Sequence, residues 1–462
     1  MLTAYENSLK GKRIAVIGGG VTGEALVRYL KSINLLPFVF DEKNDEVAGI
    51  ATHSNLHDAH TIDLAIVSPG WKKSHPIITS LVAADIEVMS EIDFAWKVKM
   101  EKWPDQRWVA ITGTNGKTTT TQMLDSIFEV STTTFRGAVC GNVGKPVIDI
   151  IGGDQKYDVL ALELSSFQIE WSSHAHYFAS AILNIAEDHV DWHGSFDEYA
   201  KAKIKLLAQS DMAILNAEDV EVVTRSSAIE LKKIFYSLQT PIPGEIGLVE
   251  NLLVDRAFVP DPMHAESFAE LTDIQPTVPH NVSNACAAAG LALALGISHE
   301  DIRNGLRAFV VDHHRMENVL QRDGITWIND SKATNPHAAS ASILGHHNVV
   351  WIAGGLAKGA DMQPLVKRVA KRLKKVILIG EDASVIERAL QSVAPDIPVH
   401  HVSKTGTTED FMDRIVEMAH AIAENGDVVL LAPACASMDQ FISYSQRGSL
   451  FADSVRRIVG KQ

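Results

Sequence analysis

The chain has 462 residues, enough for about three domains, and its 46% hydrophobic and 21% charged residues are typical of a globular protein. A formal net charge of −15 argues against nucleic-acid or anionic-membrane partners, because phosphate groups would be repelled. Three widely spaced cysteines exclude a disulfide scaffold and a thiolate zinc site. The first residues lack a signal-peptide pattern and the longest apolar stretch, ACAAAGLALALGI, is too short to cross a bilayer, so we expect a cytoplasmic protein.

Short apolar runs alternate with helical patterns in three successive blocks, which predicts a parallel α/β fold. In the first block we expect a helix at 23–33 and strands at 13–18, 37–41 and 64–70. In the second we expect a helix from about Thr118 and strands at 107–113, 158–164 and 178–184. In the third we expect strands at 325–330, 349–355, 376–380 and 427–433. Seams at 100–106 and 307–316 predict domains at 1–103, 104–311 and 312–462.

Two further segments carry helix-start signals. Ser195 to Glu198 has the pattern of a capping box and predicts a helix over 197–209. Asn335 followed by Pro336 has the pattern of an N-cap and a first helical residue. The stretch 233–280 is rich in Pro and Gly and receives no assignment.

A glycine turn follows the first predicted strand. Gly18, Gly20 and Gly23 have the spacing of a dinucleotide fingerprint, and Asp41 ends the next strand, where a ribose-binding acid would lie. Taken alone, the pattern suggests NAD. Two alternatives stay open, because a glycine turn at a helix N-terminus binds any diphosphate and can also serve only to pack a helix on a strand.

A second loop, ITGTNGKTTTTQML, resembles a phosphate-binding loop that is too short. In the common form the first glycine would stand at Ile111, whereas here Gly113 comes two residues later. The loop follows a strand and precedes a helix, so its backbone N–H groups can surround phosphates. Lys117 would supply a positive charge and Thr118 a hydroxyl group for magnesium.

Polar residues follow the next two predicted strands. Glu163 and Ser165 leave the end of one strand, and Asn184 and the segment 187–189 follow another, so all should lie at the ligand-binding edge of the sheet. Magnesium needs only one or two carboxylates, because it keeps several waters. Spacing alone leaves a structural role for His189 and does not single out Lys203 from the neighbouring lysines, Lys201 and Lys205, which we interpret as a solvated face.

Eight motifs occur in a fixed order along nearly the whole chain: TGTNGKTTTT, ELSSFQIE, NIAEDHVDWHG, HNVSNACAA, HHRME, INDSKATNP, IAGGLAKGAD and LAPACASMDQF. Together they resemble the Mur ligases, ATP-dependent amino-acid ligases of peptidoglycan synthesis, whose phosphate loop has this short form. INDSKATNP and PACASMDQF are most similar to the branch that adds D-glutamate to UDP-N-acetylmuramoyl-L-alanine. The resemblance implies a Rossmann-like UDP-sugar domain, a central P-loop ATPase-like parallel sheet for ATP, and a C-terminal Rossmann-like domain for the amino acid.

The resemblance also implies roles for the matching residues. Catalysis would involve Lys117, Glu163, His189 and Lys203, with Lys203 carbamylated by carbon dioxide. Two magnesium ions would be held by Thr118, Glu163, His189 and the carbamate of Lys203. ATP would be bound by Gly113, Thr114, Asn115, Gly116, Lys117, Thr118, Thr119, Asn281, Asn284, Arg315 and Asp330. The UDP-sugar would be bound by Gly20, Val21, Thr22, Asp41, Lys43, Ser68, Gly70, Asn142 and Ser165. D-glutamate would be bound by Lys332, Thr334, Lys358, Ser437, Met438 and Tyr444.

Two positions depart from the family pattern. Lys43 stands where an arginine often supports the uridine, and so lacks the planar fork of a guanidinium group, and Tyr444 stands where phenylalanine is frequent. Carbamylation of Lys203 requires the neutral amine, which burial favours. We expect only small-molecule partners, namely the UDP-sugar, D-glutamate and ATP, and a monomer.

The implied reaction forms an acyl phosphate from ATP and the L-alanyl carboxylate, which the amine of D-glutamate then attacks. Domain closure would assemble the reactants. Three alternatives stay open: a ligase for a folate-like acceptor, a dinucleotide-dependent oxidoreductase and a non-enzymatic nucleotide sensor. About 100 residues of glycine-turn domain before the phosphate loop argue against the first of these.

Overall fold

The computed structural model describes residues 2–53, 61–133, 135–311 and 313–460. Within these ranges the chain divides into two compact units, 1–185 with 197–309 (unit 1) and 186–196 with 310–462 (unit 2). The predicted boundary at 311 lies close to the change of unit at 310, whereas the predicted boundary at 103 lies inside unit 1, and both boundaries stay predictions. In the described part of the chain, no helix is long and apolar enough to cross a membrane.

The helices of the described residues are α1 (Ala4–Ser8), α2 (Val21–Ser32), α3 (Pro76–Ala83), α4 (Glu91–Lys102), α5 (Lys117–Val130), α6 (Val147–Gly152), α7 (Ser166–Trp171), α8 (Val190–His193), α9 (Phe196–Ile204), α10 (Val220–Ser226), α11 (Pro279–Ala294), α12 (His299–Ala308), α13 (Pro336–Leu344), α14 (Gln363–Val369), α15 (Ala383–Val393), α16 (Thr408–Ile422) and α17 (Tyr444–Ile458). Short 3₁₀ turns occupy Lys205–Gln209, Leu271–Asp273 and Ala370–Arg372.

The strands of the described residues are β1 (Ile14–Ile17), β2 (Phe38–Phe40), β3 (Glu46–Val47), β4 (Ile50–His53), β5 (Leu64–Val67), β6 (Glu87–Ser90), β7 (Arg107–Thr112), β8 (Gly137–Gly141), β9 (Val159–Glu163), β10 (Ala179–Ile182), β11 (Met212–Asn216), β12 (Lys232–Tyr236), β13 (Ile246–Val249), β14 (Leu252–Asp255), β15 (Glu266–Glu270), β16 (Glu317–Arg322), β17 (Ile325–Asn329), β18 (Val349–Gly354), β19 (Leu373–Ile379), β20 (Val399–His401) and β21 (Val428–Leu431).

The first sheet of unit 1 has the order β3-β4-β2-β1-β5-β6 and is parallel from β4 to β6. Strands β1 and β5 are buried along their whole length because helices cover both faces, as their continuous apolar sequences require. The chain runs from β1 to β2 on one side and later reaches β5 on the other side. This reversal leaves a crevice at the carboxyl ends of β1 and β5, where α/β sheets bind ligands.

The central sheet of unit 1 has the order β15-β14-β13-β12-β11-β10-β7-β9-β8. Its strands are parallel from β8 to β13, and β7 lies between β9 and β10, so the loop after β7 also stands at a reversal of strand order. The unassigned stretch 233–280 adds the antiparallel strands β14 and β15 to the far edge.

The first and central sheets share one hydrophobic core, in which residues of α2 and α4 pack with residues of α6 and with Trp108 of β7. Two buried carboxylates at the start of α4 reinforce this junction. Glu91 Oε1 accepts a hydrogen bond from the backbone N–H of Ile148 at 2.7 Å, and burial raises the pKa of Glu91 to about 7. Asp93 accepts hydrogen bonds from backbone and hydroxyl groups of residues 172–175. Unit 1 therefore joins its two sheets through buried contacts.

Unit 2 contains the last sheet, with the order β16-β17-β21-β18-β19-β20. It is parallel from β17 to β20, and β16 pairs antiparallel at the edge. Helix α13 begins as predicted, with Asn335 as the N-cap that accepts from the Ala338 N–H and with Pro336 as the first helical residue. The predicted helix over 197–209 is α9 followed by a 3₁₀ turn, and it begins one residue earlier.

Candidate active site

A cleft of about 710 Å³ lies at the carboxyl ends of β1, β2 and β5 in unit 1. It brings together most of the residues predicted for the UDP-sugar, namely Gly20, Val21, Thr22, Asp41, Lys43, Ser68 and Gly70. Helix α2 begins here at Gly20 without a side-chain cap, so its first N–H groups can bind a phosphate. The predicted Asn142 and Ser165 do not line this cleft.

Asp41 organises the glycine turn beside this cleft. Its Oδ2 accepts a hydrogen bond from Gly19 N at 2.6 Å, and its Oδ1 accepts from the backbone N–H groups of Lys43 and Asn44 at 2.9 and 2.7 Å. Partial burial opposes ionisation, but these hydrogen bonds lower the pKa of Asp41 below its ordinary value. Asp41 therefore fixes the shape of the turn in addition to lining the cleft.

The phosphate loop follows β7 at the edge of the central sheet. Gly116 has φ +85° and precedes α5, whose N-terminus lacks a side-chain cap, and Asn284 packs against Gly116. Asn184 holds the loop in two places, because its Oδ1 accepts from Asn115 N at 2.8 Å and its Nδ2 donates to Asn115 O at 3.0 Å. The sequence placed Asn184 at this edge but did not indicate that it clamps the loop.

Lys117, Thr118 and Thr119 begin α5 as predicted. Lys117 Nζ donates to Gly113 O at 2.8 Å and to Thr114 O at 3.1 Å, so the ammonium group lies over its own loop.

Asn281, predicted for the ATP site, donates to the carbonyl oxygens of Gln275 and Pro276, and so supports the chain before α11.

Glu163 is the last residue of β9 and is 1% exposed. Its Oε1 accepts a hydrogen bond from Asn142 Nδ2 at 3.0 Å, whereas its buried Oε2 has no hydrogen-bond partner among the described residues. A buried carboxylate oxygen without a donor is costly unless a cation binds it. Glu163 therefore fits a magnesium ligand, and Asn142 orients its carboxylate.

Ser165 caps helix α7 through a reciprocal pair of hydrogen bonds with Gln168. Its hydroxyl group is thus engaged in the helix start, two residues after Glu163. The predicted contact of Ser165 with the substrate stays a prediction.

Lys203 is 1% exposed, in contrast to its neighbour Lys201, which pairs with Asp197 and Glu198 on the surface. Lys203 Nζ donates to Gly113 O at 2.9 Å and lies 4.7 Å from the centre of the Tyr199 ring. The helix α9 therefore directs this lysine into the phosphate loop.

The interpretation of Lys205 as part of a solvated face is wrong. Its Nζ donates to the carbonyl oxygen of Glu170 at 3.0 Å, and burial together with the nearby Lys73 lowers its pKa. Lys205 begins the 3₁₀ turn after α9, and its side chain is half-buried against α7 because of this contact with Glu170.

His189 belongs to unit 2, whereas Glu163 and Lys203 belong to unit 1. Its backbone has φ +51°, a left-handed conformation that is rare for residues with a side chain and often found at functional sites. Its N–H donates to Asp188 Oδ1 at 2.9 Å. A small cavity of about 20 Å³ places His189 with the predicted D-glutamate residues Thr334 and Lys358, and Lys358 also has a positive φ of 51°.

The other residues predicted for unit 2 lie on the loops after β17 and β21. Asp330 is 8% exposed, burial raises its pKa, and its carboxylate accepts hydrogen bonds from Met316 N and from the Ser342 hydroxyl group. Arg315 lies close enough to Asp330 to favour its ionised form.

Lys332 Nζ lies 3.8 Å from the centre of the Tyr444 ring, which begins α17. Burial opposes ionisation of Tyr444 most strongly, but the hydrogen bond and charge of Lys332, together with a hydrogen bond from Ser445 and the charge of Arg315, lower its pKa. Ser437 is 3% exposed, whereas Met438 is 75% exposed.

Arg447, which the sequence analysis missed, connects these loops. It is 0% exposed, its Nε donates to Ser331 Oγ at 2.9 Å and its Nη2 donates to Ser331 O at 2.9 Å, with longer contacts to Cys435 O. Burial lowers the pKa of Arg447 to about 10. Its position three residues after Tyr444 was the available signal, because that spacing places both side chains on one helix face.

In the part of the chain that the structure describes, no three His, Cys, Asp or Glu side chains form a group that could hold a metal ion. Magnesium does not need such a cluster, since substrate phosphates and waters supply most of its ligands. Magnesium prefers oxygen ligands, and two are present here: Oε2 of Glu163, which has no hydrogen-bond partner among the described residues, and the hydroxyl group of Thr118 at the start of α5.

Comparison with known proteins agrees with this geometry. Residues 111–292 match the Mur ligase middle domain, and residues 314–435 match the Mur ligase glutamate ligase domain. The UDP-N-acetylmuramoylalanine–D-glutamate ligase of Streptomyces coelicolor is 41% identical, with 98% of this chain and 99% of the relative covered.

The chain belongs to the Mur ligase family. The corresponding ligase of Thermobifida fusca is 42% identical over 98% of this chain and 100% of its own length. Two solved structures share the fold. A pseudomurein peptide ligase type C from Methanothermus fervidus has a TM-score of 0.61 and 19% identity, with 97% of this chain and 100% of that chain covered. The ADP complex of MurF ligase from Thermotoga maritima has a TM-score of 0.56 and 15% identity, with 86% and 90% covered.

Proposed function

We propose that this Mur ligase joins D-glutamate to UDP-N-acetylmuramoyl-L-alanine and converts ATP to ADP and phosphate, in a cytoplasmic step of peptidoglycan synthesis. The observation that carries the proposal is the near-full-length similarity, at 41% and 42% identity, to two ligases named for this reaction. The cleft, the phosphate loop and Glu163 provide the groups that the reaction requires.

The first step transfers the terminal phosphoryl group of ATP to the L-alanyl carboxylate, which gives an acyl phosphate and ADP. The loop backbone from Gly113 to Gly116 and the N-terminus of α5 bind the phosphates, and Lys117 stabilises the negative charge that develops on them. Magnesium, when bound, withdraws charge from the phosphate oxygens. In our proposal Glu163, Thr118, His189 and a carbamate on Lys203 would hold it.

The second step forms the amide. The neutral amine of D-glutamate attacks the acyl carbon, the bond from that carbon to the phosphate oxygen breaks, and phosphate leaves while the nitrogen releases one proton to the solvent. We propose that Lys332 and Lys358 bind the two carboxylates of D-glutamate and that Thr334, Ser437, Met438 and Tyr444 complete its site. Positively charged side chains suit a substrate with two carboxylates, and hydroxyl groups fix its orientation. Arg315, Asp330, Asn281 and Asn284 complete the proposed ATP site.

Substrate dependence of phosphate release tests the proposal. We expect release only when ATP, UDP-N-acetylmuramoyl-L-alanine and D-glutamate are all present, with no product from L-glutamate. Release that requires a folate instead of the UDP-sugar would establish the folate-ligase alternative. Nicotinamide reduction without ATP would establish the oxidoreductase. ATP turnover that ignores the amino acid would contradict ligation.

A further inference from the structure

The UDP-sugar cleft contains an aromatic residue, Trp71, that the proposed reaction has not used. Trp71 follows β5 by four residues and lines the cleft together with the glycine turn. A Cβ atom placed on Gly18, whose φ is +96°, would lie 2.5 Å from Trp71 Nε1. The N–H edge of the indole ring therefore stands directly beside the glycine turn, where the diphosphate would bind.

Trp71 is held in this position from several sides. Its backbone N–H donates to Ser68 O at 3.2 Å, and its carbonyl oxygen accepts from Trp171 Nε1 at 2.8 Å. Its ring meets the His75 ring edge-to-face, with the centroids 4.5 Å apart and an interplanar angle of 74°. A side chain fixed before binding loses little conformational entropy when a ligand arrives.

His75 is itself oriented by its hydrogen bonds. Its Nδ1 accepts from Ile77 N at 3.3 Å and so caps α3, which assigns the proton of the neutral ring to Nε2. Nε2 lies 3.3 Å from Glu42 Oε1. The ring that supports Trp71 is therefore anchored to both a helix start and a cleft carboxylate.

The indole N–H is available to a ligand. Trp71 Nε1 makes no hydrogen bond with any of the residues that the structure describes. The Trp71 residue is only partly buried, so a ligand in the cleft can reach its side chain. The neighbouring Ser68 hydroxyl group already donates to Gly18 O at 3.0 Å. The side chain beside Gly18 with an uncommitted donor is thus the indole of Trp71.

We propose that Trp71 is a further substrate-binding residue, whose Nε1–H donates a hydrogen bond to the diphosphate of the nucleotide at the glycine turn. The inference rests on the proposed function, because it takes the cleft to bind a uridine diphosphate. A phosphate oxygen is a charged acceptor, and hydrogen bonds to charged groups are stronger than those between neutral groups. The contact would favour the diphosphate over the uncharged nucleoside.

Binding of UDP and of uridine to the full-length protein, measured by isothermal titration calorimetry, tests the inference. Trp71→Phe keeps an aromatic ring but removes the N–H, and we expect it to weaken UDP binding by roughly 10- to 100-fold, the value of one hydrogen bond to a charged acceptor. We expect uridine binding to be unchanged. Trp71→His, which keeps a ring N–H, recovers part of the UDP affinity.

Trp103→Phe serves as the matched control, because Trp103 ends α4 outside the cleft, and we expect wild-type binding of both ligands. Thermal unfolding midpoints of both Phe variants that equal the wild-type midpoint would show that the fold is intact. Unchanged UDP binding in Trp71→Phe would overturn the inference while leaving the proposed function in place. An equal loss of UDP and uridine affinity would also overturn it, in favour of base stacking. Failure of the wild-type protein to bind UDP would refute both the substrate and this role.

Discussion

Replacing Glu163 by glutamine tests the proposed magnesium site most directly. The change removes the negative charge of a side chain that is 1% exposed, but it retains an oxygen that can accept from Asn142 Nδ2, now 3.0 Å from Oε1. The new amide N–H group takes the place of Oε2, which has no partner among the described residues. Without magnesium, one unsatisfied buried group thus replaces another, and we expect the free energy of unfolding to change by at most about 1–3 kcal/mol.

With magnesium the two proteins should differ clearly. A cation that binds only the folded protein raises its free energy of unfolding by about 2.7 kcal/mol when the free cation concentration is one hundred times the dissociation constant. With ATP present, we expect the wild-type unfolding midpoint in a thermal scan to rise when Mg²⁺ is added, and the midpoint of Glu163→Gln to rise much less. Phosphate release should fall on the order of 10²–10³-fold, the usual cost of losing one charge contact in a transition state.

Glu129→Gln provides the matched control, because Glu129 is an exposed carboxylate in the last turn of α5. It loses the same charge and should keep the full magnesium response. A Glu163→Gln protein that retains the wild-type Mg²⁺-dependent midpoint shift would refute the assignment, whatever its activity.

Three further predictions concern charged side chains of unit 1. Lys117→Ala should keep its unfolding midpoint but lose on the order of 10²–10³-fold in phosphate release, since it removes the charge over the loop, and near-normal turnover would contradict its role. Lys203→Ala should be inactive and regain activity when acetate supplies the missing carboxylate. Full activity without acetate would show that no carbamate is needed. The raised pKa of Glu91, about 7, means that the native state binds a proton more tightly than the unfolded state. Stability in urea should therefore fall as pH rises from about 4.5 to 7, and Glu91→Gln should reduce this dependence. An identical pH profile in Glu91→Gln would contradict this explanation.

Much of the fold was predictable, because the α/β regions have strong local signals. Buried parallel strands are continuous apolar runs, so the ends of β1, β7 and β9 could be placed within a residue or two. The same logic placed the glycine turn, the phosphate loop and Glu163 at ligand-binding edges. The stretch 233–280 escaped assignment because its short strands β13 to β15, of which only β14 and β15 add antiparallel to the sheet, lie between Pro- and Gly-rich turns and are specified by pairing with the sheet edge.

The supporting residues of the site were not predictable, because their roles depend on contacts between distant parts of the chain. Asn184 clamps a loop about 69 residues away, Arg447 binds Ser331 across 116 residues, and Asp93 binds a segment about 80 residues later. Local spacing does not identify such distant partners, and for Arg447 it indicates only that the side chain shares a helix face with Tyr444. His189 and Lys203 needed the family resemblance, and the structure adds that the first has a left-handed backbone and that the second is buried.

The shared core of the first and central sheets has a consequence for any attempt to dissect the enzyme. A fragment that begins at residue 104 would lose α4 and expose the apolar side of α6 to water, together with backbone groups that Asp93 now satisfies. Such a fragment should aggregate instead of hydrolysing ATP alone. The first and central sheets of unit 1 should therefore be expressed and engineered as a single piece.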